Sequence, residues 1–134
     1  MTLVDTNVLI DIVTSDAEWF DWSAANLRLA RAAGPLFIND IIYAELGVRY
    51  DSRRDLDDFL NGTGLERSPM SNHALYLASQ AFRLYRSRGG RKTNVLADFF
   101  IGAQASTLDL PILTRDVARY RAYFPTVHLI APRT

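Results

Sequence analysis

Short apolar runs alternate along this chain with longer stretches of helical period. The runs at 2–4 (T-L-V), 36–38 (L-F-I) and 112–114 (I-L-T) are each bounded by turn or cap residues, which predicts short buried strands. Residues 127–130 (V-H-L-I) predict a last strand and 65–67 (L-E-R) a minor one. Between them the spacing predicts helices over 7–13, 17–33, 40–50, 72–87, 95–108 and 117–123, and a loop with a short exposed helix around 56–60. Gly34-Pro35 and Gly89-Gly90 are stop signals. Asn39, Asp40 and Ser71 stand where N-caps belong. Apolar strands separated by helices imply a mainly parallel sheet between helical layers. Ligands of such folds sit beyond the carboxyl ends of the strands.

Composition narrows the class. The length of 134 residues suits a single domain over 1–134 with a proper core. Cysteine is absent, which excludes disulfides and thiolate zinc sites. No apolar run is long enough for a bilayer, so no membrane role is expected. The first residues lack the layout of a signal peptide, and a cytoplasmic address is expected. Net charge is zero but unevenly spread: residues 1–66 carry twelve acids against five Arg, and 67–134 carry three acids against ten bases. Such a division accompanies nucleic-acid contact when the fold does not interleave the two halves.

Four acids carry the candidate chemistry. Asp5 and Asp116 each follow an apolar run, whereas Glu45 and Asp98 interrupt apolar stripes of predicted helices. Glu45 shares its stripe with Ile41, Ile42 and Val48, and Asp98 with Val95, Ile101 and Gly102. A carboxylate on a core-facing stripe loses hydration and needs a partner. Four of them together would repel one another unless a cation sat among them. Hard divalent ions prefer carboxylate oxygens, and nucleases use them to activate water and polarise a phosphodiester. Bland uses compete with this reading: helix capping for Asp5 and Asp116, and an ion pair with a buried Arg for Glu45 and Asp98. Thr6, Asn7 and Thr114 stand beside the post-strand acids and could orient them. Asp11, with Asn7, Thr14 and Ser15 as helical neighbours, reads as solvated. Arg88, Arg91 and Lys92 lie in a basic run that ends six residues before Asp98, at the rim where a polyanion would approach.

Asp5-Thr6-Asn7, Glu45, Asp98 within A-D-F-F-I-G-A-Q-A, and Thr114-Arg115-Asp116 together resemble the PIN-domain nucleases, and more closely the VapC-type toxins of type II toxin–antitoxin systems. The resemblance covers essentially the whole chain. It implies a three-layer α/β/α sandwich with a central, mainly parallel sheet of four to five short strands. It also implies an endoribonuclease that uses Mg²⁺, or Mn²⁺ as a substitute, acts as a homodimer and is held inactive by a small antitoxin. Asp5 and Asp98 match the family's most direct metal ligands; Glu45 and Asp116 match ligands or acids behind them. Two other readings stay open: a catalytically silent PIN-like module that binds RNA or protein, and an Asp-nucleophile phosphatase. The phosphatase is disfavoured because Asn7 stands where a second Asp would be needed.

Overall fold

The first strand, β1 (Thr2–Val4), is buried at all three positions and lies at the centre of the sheet. Its neighbours are β2 (Leu36–Ile38) and β4 (Ile112–Leu113), and the sheet is completed by β3 (Leu65–Arg67) and β5 (Leu129–Ile130). The order is β3-β2-β1-β4-β5, and every pairing is parallel. Burial on both faces explains why β1, β2 and β4 are apolar runs rather than alternating ones, whereas the edge strand β3 buries only Leu65. The structure is a computed structural model that describes residues 1–91 and 96–133.

Seven helices connect the strands among the described residues. They are α1 (Thr6–Val13) and α2 (Phe20–Ala33) after β1, α3 (Asp40–Gly47) and α4 (Arg53–Thr63) after β2, α5 (Asn72–Ser87) and α6 (Leu96–Leu108) after β3, and α7 (Ala118–Tyr123) after β4. Crossovers between parallel strands are right-handed, so reversing the direction of travel along the sheet moves the helices to its other face. Steps β1 to β2 to β3 run one way, and the return to β4 and β5 runs the other. The result is the expected α/β/α sandwich. This order also keeps β1 to β3, from the acidic half of the chain, on one side of the β1–β4 seam. The basic half supplies β4 and β5, but its helix α6 packs against α3, and Arg115 pairs with Asp11, so the two halves meet.

Local signals act as their chemistry dictates. Asn39 caps α3 by accepting from the Ile42 N–H at 2.9 Å, and Ser71 caps α5 by accepting from Ala74 at 3.1 Å. The acidic stretch forms a longer helix than expected. Ser52 accepts from the Asp55 N–H at 3.1 Å, Leu56 and Leu60 are buried, and Gly64 (φ 73°) ends α4 in the left-handed region. In contrast α3 is shorter than the expected 40–50 and stops at Gly47. The predicted start of α6 at Val95 lies outside the described residues. Phe99 anchors α6 in an aromatic cluster with Phe82, Tyr85, Tyr123 and Phe124. Gly102 lies so close to the Phe124 ring that a Cβ would overlap it, so α6 and the end of α7 meet with no side chain between them.

Asp11 corrects the sequence reading. It is 1% exposed rather than solvated, because its face of α1 packs under α2. Ser23 donates to its Oδ2 at 2.9 Å, and Arg115 forks onto it with Nε at 2.7 Å and Nη2 at 3.1 Å. The pair ties the exit of β4 to α1 and α2. Replacing Arg115 with Ala leaves that carboxylate buried and unpaired, which costs about 3 kcal/mol. Urea denaturation of Arg115→Ala is expected to show that loss. A change within experimental error would mean that the ion pair adds nothing to stability.

Candidate active site

The carboxyl edge of the sheet gathers the acids because opposite faces send helices over it. Asp5 follows β1 directly, in the crevice between β1 and β4 where the strand order reverses. Its N–H is fixed by the Leu113 carbonyl at 2.9 Å. Glu45 comes from α3 and Asp98 from the first turn of α6, two helices in contact.

Asp5 stands at the N-cap position of α1, yet its side chain caps nothing. Its Oδ2 instead accepts three hydrogen bonds, from Tyr120 Oη at 2.8 Å, Thr114 Oγ1 at 2.9 Å and Asn7 Nδ2 at 3.3 Å. Its Oδ1 takes none of these donors. Burial pushes the Asp5 carboxyl up to about 6, and the charges of Asp98 and Glu45 add to the rise, while the bonds from Tyr120 and Thr114 oppose it. Burial and the nearby acids raise the Tyr120 phenol well above its ordinary value, so it remains a donor. Glu45 is raised by burial and by Asp98, against a hydrogen bond of 2.6 Å from Thr6 Oγ1. Asp98 is raised by burial and by Asp116, against an ion pair with Arg119 at 2.9 Å.

Asp5, Glu45 and Asp98 thus lie within reach of one another's charge. Asp116 is exposed, adds its charge beside Asp98, and is tied to the site by its N–H, which donates to Thr114 Oγ1 at 3.1 Å. It does not start α7, whose N-cap is Val117. The supporting residues also take part: Thr6 holds Glu45, while Asn7 and Thr114 hold Asp5. Asp98 does have the Arg partner that the ion-pair reading requires, but both members are more than a quarter exposed, so the pair is not sealed in the core. Among the described residues no three of these acids stand close enough, as arranged, to ligate one ion. In donor chemistry the set nevertheless fits a hard divalent cation: three carboxylates and flanking hydroxyls, all oxygen, with mutual repulsion that a cation relieves.

Sequence reasoning passed over Arg119 and Tyr120. The signal available was a basic and an aromatic residue on the short helix after Asp116, where side chains near the β4 exit face the same edge. The basic residues reach the rim in part. Arg88 ends α5 with its guanidinium 5.6 Å from the Tyr123 ring centre, and Arg91 is exposed. Lys92 lies outside the described residues. An open cleft of about 280 Å³ beside the acids is lined by Tyr85, Asp116, Ala118, Arg119 and Tyr123. A larger hollow of about 540 Å³ lies between α3, α4 and β3, but it contains none of the four acids. Its charged groups are engaged with one another, as where Asp57 takes Tyr43 Oη at 2.7 Å and Arg53 at 3.8 Å.

These shifts predict a pH signature for the metal-free protein. The Asp5 carboxyl binds its proton more tightly folded than unfolded, so its contribution to stability is complete below the unfolded value near 4. That contribution is lost as pH rises to about 6. The fall is expected to be on the order of 2–3 kcal/mol. Asp5→Asn keeps an acceptor for Tyr120 and Thr114 and is expected to flatten the curve. Equal slopes for the two proteins in denaturant melts between pH 4 and 7 would remove Asp5 as the source.

The PIN-domain family matches residues 2–125. None of the curated proteins compared matches the sequence. Among solved structures, the chain resembles one from VapBC2 of Rickettsia felis bound to a promoter DNA fragment, at 18% identity and a TM-score of 0.73, covering 98% of both chains. VapBC-1 of nontypeable Haemophilus influenzae is similar at 15% identity and a TM-score of 0.70, covering 97% of this chain and 96% of that one. FitAcB of Neisseria gonorrhoeae follows at 21% and 0.61, covering 96% of each. The fold is common to all of them. With the family matched over nearly its full length and the acids in order along the carboxyl edge, this chain belongs to the PIN-domain family.

Proposed function

We propose that this protein is a metal-dependent endoribonuclease and the toxin of a type II toxin–antitoxin pair. The observation that carries this reading is the trio Asp5, Glu45 and Asp98, each held at raised affinity for protons by burial and by its neighbours. A silent binding module has no evident need for such a costly grouping. Asp5 and Asp98 would hold Mg²⁺ or Mn²⁺, with Glu45 and Asp116 as further ligands or supporting acids. When bound, the ion supplies a water of lowered pKa and stabilises charge on the phosphoryl oxygens.

The chain's own groups do the rest. Tyr120, Thr114 and Asn7 fix Asp5 through one oxygen, and Thr6 fixes Glu45, so the carboxylates present defined lone pairs. Arg119 is within reach of Asp98 and adds a cation beside the position an RNA phosphate would take. The exposed Arg88 and Arg91, with Lys92, offer charge to the rest of the backbone. Because the similar structures named above are of VapBC and FitAcB, a small antitoxin is the partner we assign; a homodimer and the cytoplasm as the place of action are what the family resemblance implies.

EDTA is expected to abolish cleavage of a mixed RNA panel, and Mg²⁺ or Mn²⁺ to restore it. Asp98→Asn and Glu45→Gln should each lower the rate on the order of 10²-fold or more, the scale of a positioned catalytic group. Full activity in EDTA, from a preparation free of contaminating ribonuclease, would overturn the mechanism. Neutralising Arg88, Arg91 and Lys92 together should weaken RNA binding and flatten its dependence on salt, since fewer counterions are released. An unchanged slope would reduce these residues to partners of the α5 helix dipole.

A further inference from the structure

The cleft beside the acids has a composition that phosphodiester chemistry does not require. Two half-buried tyrosines, Tyr85 and Tyr123, form its apolar lining together with Ala118, with ring centres 5.9 Å apart and planes at 79°. Guanidinium groups lie against both: Arg119 is 5.3 Å from the Tyr85 ring centre, and Arg88 is 5.6 Å from that of Tyr123. Arg119 also pairs with Asp98 at 2.9 Å, so one side chain forms a wall of the cleft and touches the acid cluster. Asp116 belongs to the lining as well. The cleft is therefore continuous with the candidate active site.

Aromatic rings and guanidinium planes are the surfaces on which unpaired bases stack, and arginines near them draw in the backbone. The volume of about 280 Å³ falls just below that of small-ligand pockets, which run from roughly 300 to 1,000 Å³. That suits one base rather than a longer group. An apolar peptide side chain would gain little from two arginines, whereas an RNA strand gains from both the rings and the charge. Resting on the nuclease reading above, we propose that this cleft seats one unstacked base of single-stranded RNA, adjoining the phosphate presented to Asp5 and Asp98. Tyr85 and Tyr123 are then specificity-determining residues. They impose a single-stranded substrate, because a paired base cannot leave its stack without cost.

The test uses short single-stranded RNAs spanning a bond that the wild-type protein cuts. Binding is measured with the full-length Glu45→Gln protein in EDTA, which keeps the RNA whole and leaves the cleft untouched. Removing bases one at a time should lower affinity at a single position next to the scissile bond, by about 5- to 100-fold, the range that stacking supplies. Tyr123→Leu should reproduce that loss on intact RNA and add nothing on the RNA abasic at that position, while Tyr123→Phe should bind as the parent does. The same bond in a fully paired duplex should resist the wild-type enzyme. The abasic series needs no substitution in the cleft, so it decides the matter even if Tyr123→Leu folds poorly. Cleavage of RNA with losses spread evenly along the strand, or with none, overturns the base site and leaves the nuclease reading intact. If Tyr123→Leu loses only a protein partner and keeps its RNA affinity, the cleft is a protein-docking site and the inference fails. A panel in which no RNA is cut overturns both.

Discussion

Like-charge repulsion at one edge of the sheet organises much of what surrounds it. Asp5, Glu45 and Asp98 are brought together by elements that would otherwise only need to pack, and each raises the cost of ionising another. The neighbouring polar groups answer that cost individually. Asp5 takes three donors, Glu45 takes Thr6, and Asp98 takes Arg119. None of these donors is a backbone group, so the arrangement rests on side chains supplied from α1, the β4 exit and α7. The strand order makes that supply possible, since β1 and β4 are neighbours although more than a hundred residues separate them in the chain.

What the sequence made legible was local. Strands β1, β2 and β3 and helix α5 have the predicted bounds because a short apolar run, a capping Asn or Ser and a terminal Gly act within a few residues. Asp5, Glu45 and Asp98 stood out for a similarly local reason: a carboxylate within or directly after an apolar run is visible without knowing its partner. Asp11 was misread because that logic ran in reverse. Its neighbours on α1 look like a solvent face, and nothing nearby shows that α2 will cover it or that Arg115 will arrive from across the sheet. Arg119 and Tyr120 were missed for the same reason, since their value depends on a contact with an acid 21 and 115 residues away.

The aromatic cluster around Phe99 connects the core with the candidate site. Phe82, Tyr85, Tyr123 and Phe124 surround that ring, so the face that lines the cleft is the outer side of the hydrophobic core rather than a loop. A surface built this way has little rotamer freedom left to lose when something binds to it. Residues on α5, α6 and α7 consequently share one packing problem, and a change in any of them is felt beside Asp98.

Gly102 turns that shared packing into a lever. The helix carrying Asp98 bears on Phe124 one turn further along, where only a hydrogen separates backbone from ring. An alanine there would overlap the ring, so that either Phe124 or α6 has to give way. A residue with no functional group at all thus bears on the helix that carries the acid. A single methyl, buried and chemically inert, would load the packing beneath the site while every polar residue in it kept its identity.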